Sequence, residues 1–306
     1  MNFAVLCSGQ GAQHPAMLDM IAGHPAAVAI IQAGEAELGM SLRDALAHGD
    51  TMYRNSVAQP LICLTQLALW TALRPASPAP LAFCGYSVGE LGAYACAEAM
   101  DAAELARIAS ARAALMDQAA VTKSGLLAVQ GLPRADLDHV CAGHQAWIAI
   151  AISDEEFIIG GEDSELEELG KILVLQGAKL TRLKVSLASH TPLLGDAVEP
   201  FRVLLNSSTI SAPVTRVVAG IDAAWVAHRA DMIEKLALQL SHTIEWASCL
   251  DTLYERGCRV FLELGPGRAL ARMTQARYAD VEARAVDDFR SLDGVAAWLS
   301  KHAGIR

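Results

Sequence analysis

Residues 81–95 read Leu81-Ala82-Phe83-Cys84-Gly85-Tyr86-Ser87-Val88-Gly89-Glu90-Leu91-Gly92-Ala93-Tyr94-Ala95. Four apolar residues suited to a buried strand run into Gly85-Tyr86-Ser87-Val88-Gly89, and a helix-spaced segment follows. A Gly-x-Ser-x-Gly turn between a strand and a helix lifts the serine hydroxyl out of the backbone at a helix N-terminus. Glycine suits both ends of such a turn because a side chain there would collide with the neighbouring backbone. An ordinary tight turn with a capping serine has the same five residues, so the flanks carry the weight. They make Ser87 the candidate nucleophile.

Outward from this turn the same alternation repeats. Apolar runs at 3–7, 81–84, 215–219 and 259–264 read as buried strands, and segments 26–38, 60–73, 90–97, 102–120, 231–240 and 247–256 have helical spacing. Strands separated by helices predict an α/β fold whose mostly parallel sheet is covered on both faces. The middle differs: strand 126–131, helix 135–141, strands 147–152 and 157–159, helix 164–175 and strand 180–185. That β-α-β-β-α-β order is the ferredoxin-like unit. It predicts a small domain at 122–186 inserted into a large domain formed by 1–121 and 187–306.

Composition bounds the partners. The chain has 306 residues, with 24 basic against 34 acidic side chains and a net charge of −10. A chain this long buries about three quarters of its unfolded surface and needs no disulfide or metal to fold. The acidic balance argues against nucleic acid, which requires a basic footprint. Residues 55–73 carry no formal charge and could span a bilayer by length, but Asn55, Ser56, Gln59, Thr65, Gln66 and Thr71 lie among them and Pro60 interrupts them. They predict a buried helix with Pro60 at its first position, not a membrane span. The N-terminus lacks the basic and apolar regions of a signal peptide. The seven cysteines form no Cys-x-x-Cys and mostly sit in apolar runs, as free thiols of a cytoplasmic protein do.

Other residues could carry chemistry. Gly9-Gln10-Gly11-Ala12-Gln13 follows the first strand, at the carboxyl end where open α/β sheets bind ligands. The backbone N–H groups of Gln10 and Val88 could together bind an oxyanion; a plain glycine-rich connector is the alternative. The loop matches neither the dinucleotide nor the Walker pattern, so no nucleotide cofactor is expected. Of nine histidines, His190 sits at the edge of the inserted domain and is the first candidate base, with His14 and His242 as competitors. Arg112 falls on the apolar stripe Leu105, Ile108, Leu115, Met116 of its helix, where a guanidinium must meet an anion. That anion is either a protein acid or a substrate carboxylate.

Taken together these segments resemble the malonyl-CoA:acyl-carrier-protein transacylase family over nearly the whole chain. Gly9–Gln13 is similar to the family's Gly-Gln-Gly-x-Gln opening and Gly85–Glu90 to its Gly-His-Ser-Leu-Gly-Glu elbow. Arg112 with Met116 is similar to its Arg-Gly-x-x-Met segment, Ser189-His190 to its Ser-His loop, and Glu263-Leu264-Gly265-Pro266-Gly267 to its late Gly-Pro-Gly turn. The resemblance implies an α/β-hydrolase-like large domain. It implies ping-pong transfer from malonyl-CoA to an acyl carrier protein, with no bound cofactor and no metal. Ser87 would be acylated, His190 would be its base, Arg112 would clamp the malonyl carboxylate, Gln10 and Val88 would supply oxyanion N–H groups, and Gln13 and Met116 would line the substrate site.

There are departures. Tyr86, Val88 and Ser8 stand where the family has His, Leu and Pro, and Glu245 stands where it has a glutamine. Glu245 is therefore expected as the acid of a Ser-His-acid triad, or else as an exposed acid at a helix start. The variant elbow and Cys7-Ser8-Gly9-Gln10-Gly11 resemble the transacylase (epsilon) subunit of malonate decarboxylase more than the fatty-acid or polyketide enzyme. Ser189 is small enough to admit a substituted malonyl group. A thioesterase and a non-catalytic carrier-binding module are the alternatives. An acidic enzyme meeting an acidic carrier needs a local basic patch, and Lys171, Lys179, Arg182 and Lys184, with Arg268, Arg272 and Arg277, are the candidates.

Overall fold

The computed structural model describes residues 2–183, 185 and 187–304. Among these residues the strands are β1 (Asn2–Cys7), β2 (Ala82–Gly85), β3 (Ser124–Gln130), β4 (Ala146–Ala151), β5 (Glu156–Glu162), β6 (Lys179–Arg182), β7 (Val217–Val218), β8 (Trp225–Val226), β9 (Cys258–Leu264) and β10 (Glu282–Ala285). They form two sheets, ordered β10-β9-β1-β2-β7-β8 and β4-β5-β3-β6. The protein is thus α/β with a mixed larger sheet: β10, β9, β1, β2 and β7 run parallel and β8 is antiparallel at one edge.

The alternation of side chains along a strand explains why this sheet is covered on both faces. Phe3, Val5 and Cys7 of β1 join one core cluster, with Phe83 of β2 and Val260, Leu262 and Leu264 of β9. Ala4, Leu6, Ala82, Cys84 and Phe261 point to the opposite cluster. Helices Asn55–Leu73, Gly89–Cys96 and Ala102–Ala119 pack on the first face, and Trp246–Glu255 and Ala269–Arg277 on the second.

Register then places the loops. Cys7 pairs with Gly85 on one side and with Leu264 on the other. The glycine loops that follow β1, β2 and β9 therefore leave the sheet at the same level, along its carboxyl edge.

Helix Asn55–Leu73 corrects one expectation. It starts at Asn55, and Pro60 lies inside it. Proline there removes one hydrogen bond, the one to the carbonyl of Ser56, close enough to the exposed helix start for water to replace it. The run Asn55–Ala76 is the one helical stretch among the described residues long and apolar enough to cross a membrane, and 89% of its apolar window is buried inside the protein. All seven cysteines are free and buried.

The second sheet is antiparallel throughout. Its two helices, Arg134–Cys141 and Asp163–Leu175, share one core with Leu127, Val129, Phe157 and Ile159. Its other face, through Leu126, Ile150 and Ile158, joins the core beneath the large sheet. Backbone bonds from Ile244 N–H to Ala149 O and from Ala151 N–H to Ile244 O stitch the two bodies together. Lys184, and Ser186 at the expected domain boundary, lie outside the described residues.

Candidate active site

Ser87 sits between β2 and helix Gly89–Cys96 with φ of 56°, the left-handed turn that projects a side chain away from both elements. The turn is possible because its neighbours have no side chain. A Cβ on Gly89 would fall 2.2 Å from Cys7 O, and one on Gly85 would fall 2.2 Å from the backbone of Glu90. The first glycine loop also packs against the elbow, with a Cβ on Gly9 meeting Tyr86 O at 2.9 Å.

The structure brings Ser87 and His190 together. Ser87 Oγ donates to His190 Nε2 at 2.7 Å. His190 Nδ1 lies 2.6 Å from the backbone carbonyl of Gln239, an acceptor only, so Nδ1 carries the ring proton and Nε2 is free to take one. Burial, reinforced by the nearby charge of Arg112 and opposed by the Gln239 carbonyl, lowers the imidazole to about 3. The ring is a neutral base across the physiological range. The competitors lie elsewhere: His14 pairs with Asp287, and His242 bonds Ser241 and Leu238.

Gln10 and Ser87 line a cavity of about 440 Å³, with Met116, Asn55, Asp117 and Ser189 among its walls. The backbone N–H groups of Gln10 and Val88 make no hydrogen bond among the described residues. Gln13 is directed into its own loop. Its Oε1 accepts from Gly11 N–H at 2.5 Å and its Nε2 donates to Met52 O at 3.1 Å, which fixes the loop that carries Gln10. Met116 is buried, and its sulfur accepts from Gln59 Nε2.

Arg112 is 1% exposed. Nη1 donates to Gln59 Oε1 at 2.9 Å and Nη2 to Gln239 Oε1 at 3.0 Å, while Nε–H has no acceptor among the described residues. Both partners are neutral amides. Burial lowers the guanidinium to about 10, against the weaker pull of Cys63 and Glu90. Gln239 links the groups: its carbonyl holds His190, its side-chain oxygen holds Arg112, and its Nε2 donates to Glu90 Oε2 at 2.6 Å.

Glu245 is not the acid of a triad. Its two oxygens take both Nη groups of Arg134 at 2.8 Å, and its N–H donates to Gly220 O. It joins helix Arg134–Cys141 of the small sheet to the large body at the seam stitched by Ile244. The Nδ1 of His190 is occupied by the backbone carbonyl of Gln239, which in the sequence stands out only as part of a helical segment. Gln59 and Gln239 were missed as site residues. An amide that a helix buries needs a partner, and that need is the one mark they leave in the sequence.

A strained serine at an elbow, a neutral histidine on its hydroxyl and two free amides beside it form a site for acyl transfer. The chain belongs to the acyl transferase domain family, which matches it over residues 5–289. It is similar to the malonyl CoA-acyl carrier protein transacylase of Haemophilus influenzae, 26% identical over 97% of this chain and 99% of that protein. The human mitochondrial malonyl-CoA-acyl carrier protein transacylase is 30% identical, over 89% of this chain and 76% of that protein. Among solved structures, a malonyl-transacylase in complex with its type II PKS acyl-carrier protein superposes with a TM-score of 0.92 at 26% identity, covering 97% of this chain and 99% of that one.

Proposed function

We propose that the protein is a cytoplasmic acyl-carrier-protein S-malonyltransferase that moves the malonyl group of malonyl-CoA to the thiol of an acyl carrier protein through an acyl-Ser87 intermediate. The observation that carries this reading is Arg112, a cation sealed in the protein and held only by neutral amides. A buried guanidinium without an anion is costly. A substrate carboxylate reaching Nε–H supplies the missing partner, and Gln239 ties that position to the catalytic histidine.

In the first half-reaction His190 Nε2 takes the Ser87 proton as Oγ attacks the thioester carbonyl. The Gln10 and Val88 N–H groups receive the developing oxyanion. The intermediate collapses, the C–S bond breaks, and the departing sulfur takes the proton back from His190. In the second half-reaction the carrier's thiol gives its proton to His190 and attacks the Ser87 ester, the ester C–O bond breaks, and Ser87 Oγ takes the proton back from His190. These steps call on no cofactor.

We read residues 1–121 with 187–306 as an α/β-hydrolase-like domain and residues 122–186 as a ferredoxin-like insertion. The order β4-β5-β3-β6, with both helices on one face, supports the second reading.

Incubation with malonyl-CoA alone should add one malonyl group, at Ser87, that persists until a carrier protein is supplied. Prompt release of free malonate without carrier would instead assign a hydrolase. Arg112→Ala should lower acylation by malonyl-CoA by roughly two to three orders of magnitude relative to acetyl-CoA, as removing one partner of a buried charge pair does. An unchanged preference rejects the clamp.

A further inference from the structure

Two hydrogen-bonded chains converge on Arg112, and each ends on a carboxylate that never touches it. On one side Arg112 Nη2 donates to Gln239 Oε1, and Gln239 Nε2 donates to Glu90 Oε2. That same oxygen accepts Gly220 N–H at 3.0 Å, so the carboxylate is fixed at the start of helix Gly89–Cys96. On the other side Arg112 Nη1 donates to Gln59 Oε1, Gln59 Nε2 donates to Asn55 Oδ1 at 2.6 Å, and Asn55 Nδ2 donates to Asp117 Oδ1 at 2.9 Å.

We propose that Glu90 and Asp117 are positioning residues that turn the amide oxygens of Gln239 and Gln59 toward Arg112, holding the guanidinium in place while leaving its charge for the substrate's carboxylate. This inference rests on the reading of Arg112 as the carboxylate clamp.

The direction of each chain follows from donor and acceptor chemistry. A primary amide has one accepting end and one donating end. A flipped Gln239 would set its NH2 against the N–H groups of Arg112 and its oxygen against Glu90, two repulsive contacts in place of two attractive ones. Glu90 therefore selects the orientation in which Gln239 can serve arginine. Asp117 does the same for Gln59 with Asn55 as intermediary.

The use of amides next to the cation matters equally. A carboxylate at position 59 or 239 would form an internal ion pair, and a malonyl carboxylate would then have to displace it. An amide oxygen orients the guanidinium and leaves it positive. Selectivity for an acyl group bearing a carboxylate is thereby set two residues away from the contact on one side and three on the other.

The test is Ser87 acylation by the full chain, measured as kcat and KM for malonyl-CoA and for acetyl-CoA. The ratio matters, because both substrates carry the same CoA and any direct effect on CoA cancels. Asp117 is exposed, so its variants are expected to fold. Asp117→Ala should lower the malonyl-to-acetyl selectivity by about tenfold, mainly through the KM of malonyl-CoA, and Asp117→Asn, which keeps an oxygen for Asn55, should restore it. Gln59→Glu should lower selectivity further. Glu90→Leu should act like Asp117→Ala, with Glu90→Gln retaining an acceptor for Gln239. If Asp117→Ala and Asp117→Asn behave alike, or neither moves the ratio while Arg112→Ala collapses it, the positioning role is overturned. If Arg112→Ala itself leaves the ratio unchanged, the clamp falls and the proposal with it.

Discussion

His190 shows what burial does to a single residue and to the stability of the chain that buries it. An unfolded chain protonates this imidazole near its ordinary value of 6.5, whereas the folded protein holds it neutral down to about 3. Below pH 6.5 the unfolded state therefore binds the extra proton, and stability is lost as pH falls through that window. Glu90 and Glu263 act with the opposite sign. Burial raises both from 4.5 to about 7, so between those values the folded state holds the extra protons and stability is lost as pH rises. His190→Gln removes only the first effect. It should gain about 2 kcal/mol relative to the parent when the pH is lowered from 7 to 5, read as the difference between their denaturant midpoints. A gap that stays constant with pH contradicts a buried, neutral His190. Glu245→Gln should change kcat less than threefold, because a half-exposed pair with Arg134 is worth about 1 kcal/mol or less. A loss near the roughly 10⁴ seen when an orienting acid is neutralised would restore the triad. The elbow at Ser87, its contact with His190 and the burial of Arg112 were legible because a Gly-x-Ser-x-Gly turn, a loop at a domain edge and a misplaced cation each leave a local mark. The acceptor on His190 was not, since a backbone carbonyl has no sequence signature and any residue type can supply it.

At the scale of elements, most segments that carry an apolar run or stripe were readable, the small sheet's short strand β6 and helix Arg134–Cys141 among them, while helices Val198–Ser207 and Leu292–Ala303 and strand β10 were not. The strands that became β1, β2 and β9, and helices Ala102–Ala119 and Trp246–Glu255, carry apolar runs or stripes dictated by burial on one or both faces. Strand β10 has Glu282 and Arg284 among its four residues, as edge strands often do, and no run marks it. Pro60 misled because proline is favoured at a first helical position, yet a long helix packed by 16 buried residues tolerates it one turn further in. What no periodicity could show is how closely the loop after β1 approaches the elbow after β2. Gly9 lets the loop carrying Gln10 rest on the elbow carrying Val88, and a methyl group there meets Tyr86 O at 2.9 Å. Gly9→Ala should therefore spread the two N–H donors and slow Ser87 acylation by roughly a hundredfold. The thermal midpoint should fall only a few degrees, because the loop lies outside the sheet. Full acylation activity in a folded Gly9→Ala protein would show that the two amides do not act as a pair.

For the whole molecule, the net charge of −10 is distributed less simply than the sequence suggested. Four of the basic residues set apart as a docking rim are matched by acids: Lys171 by Glu168, Arg182 by Asp163, Arg268 by Asp288, and Arg277 by Asp251. Chain distance hid most of these pairs; Asp163 precedes Arg182 by 19 residues and meets it only once the small sheet has formed. Lys179 stands on the same edge strand with no ion pair among the described residues, so its charge is the one there available to an acidic carrier. If the carrier docks on this strand, Lys179→Glu should raise the KM for carrier protein severalfold more than that for malonyl-CoA. The difference should shrink as ionic strength rises from about 0.05 to 0.3 M, where the screening length falls below about 10 Å. Arg182→Ala should have a smaller effect, since its charge is already balanced by Asp163. Equal changes in both half-reactions, or a carrier KM indifferent to salt, would place the docking surface away from this strand.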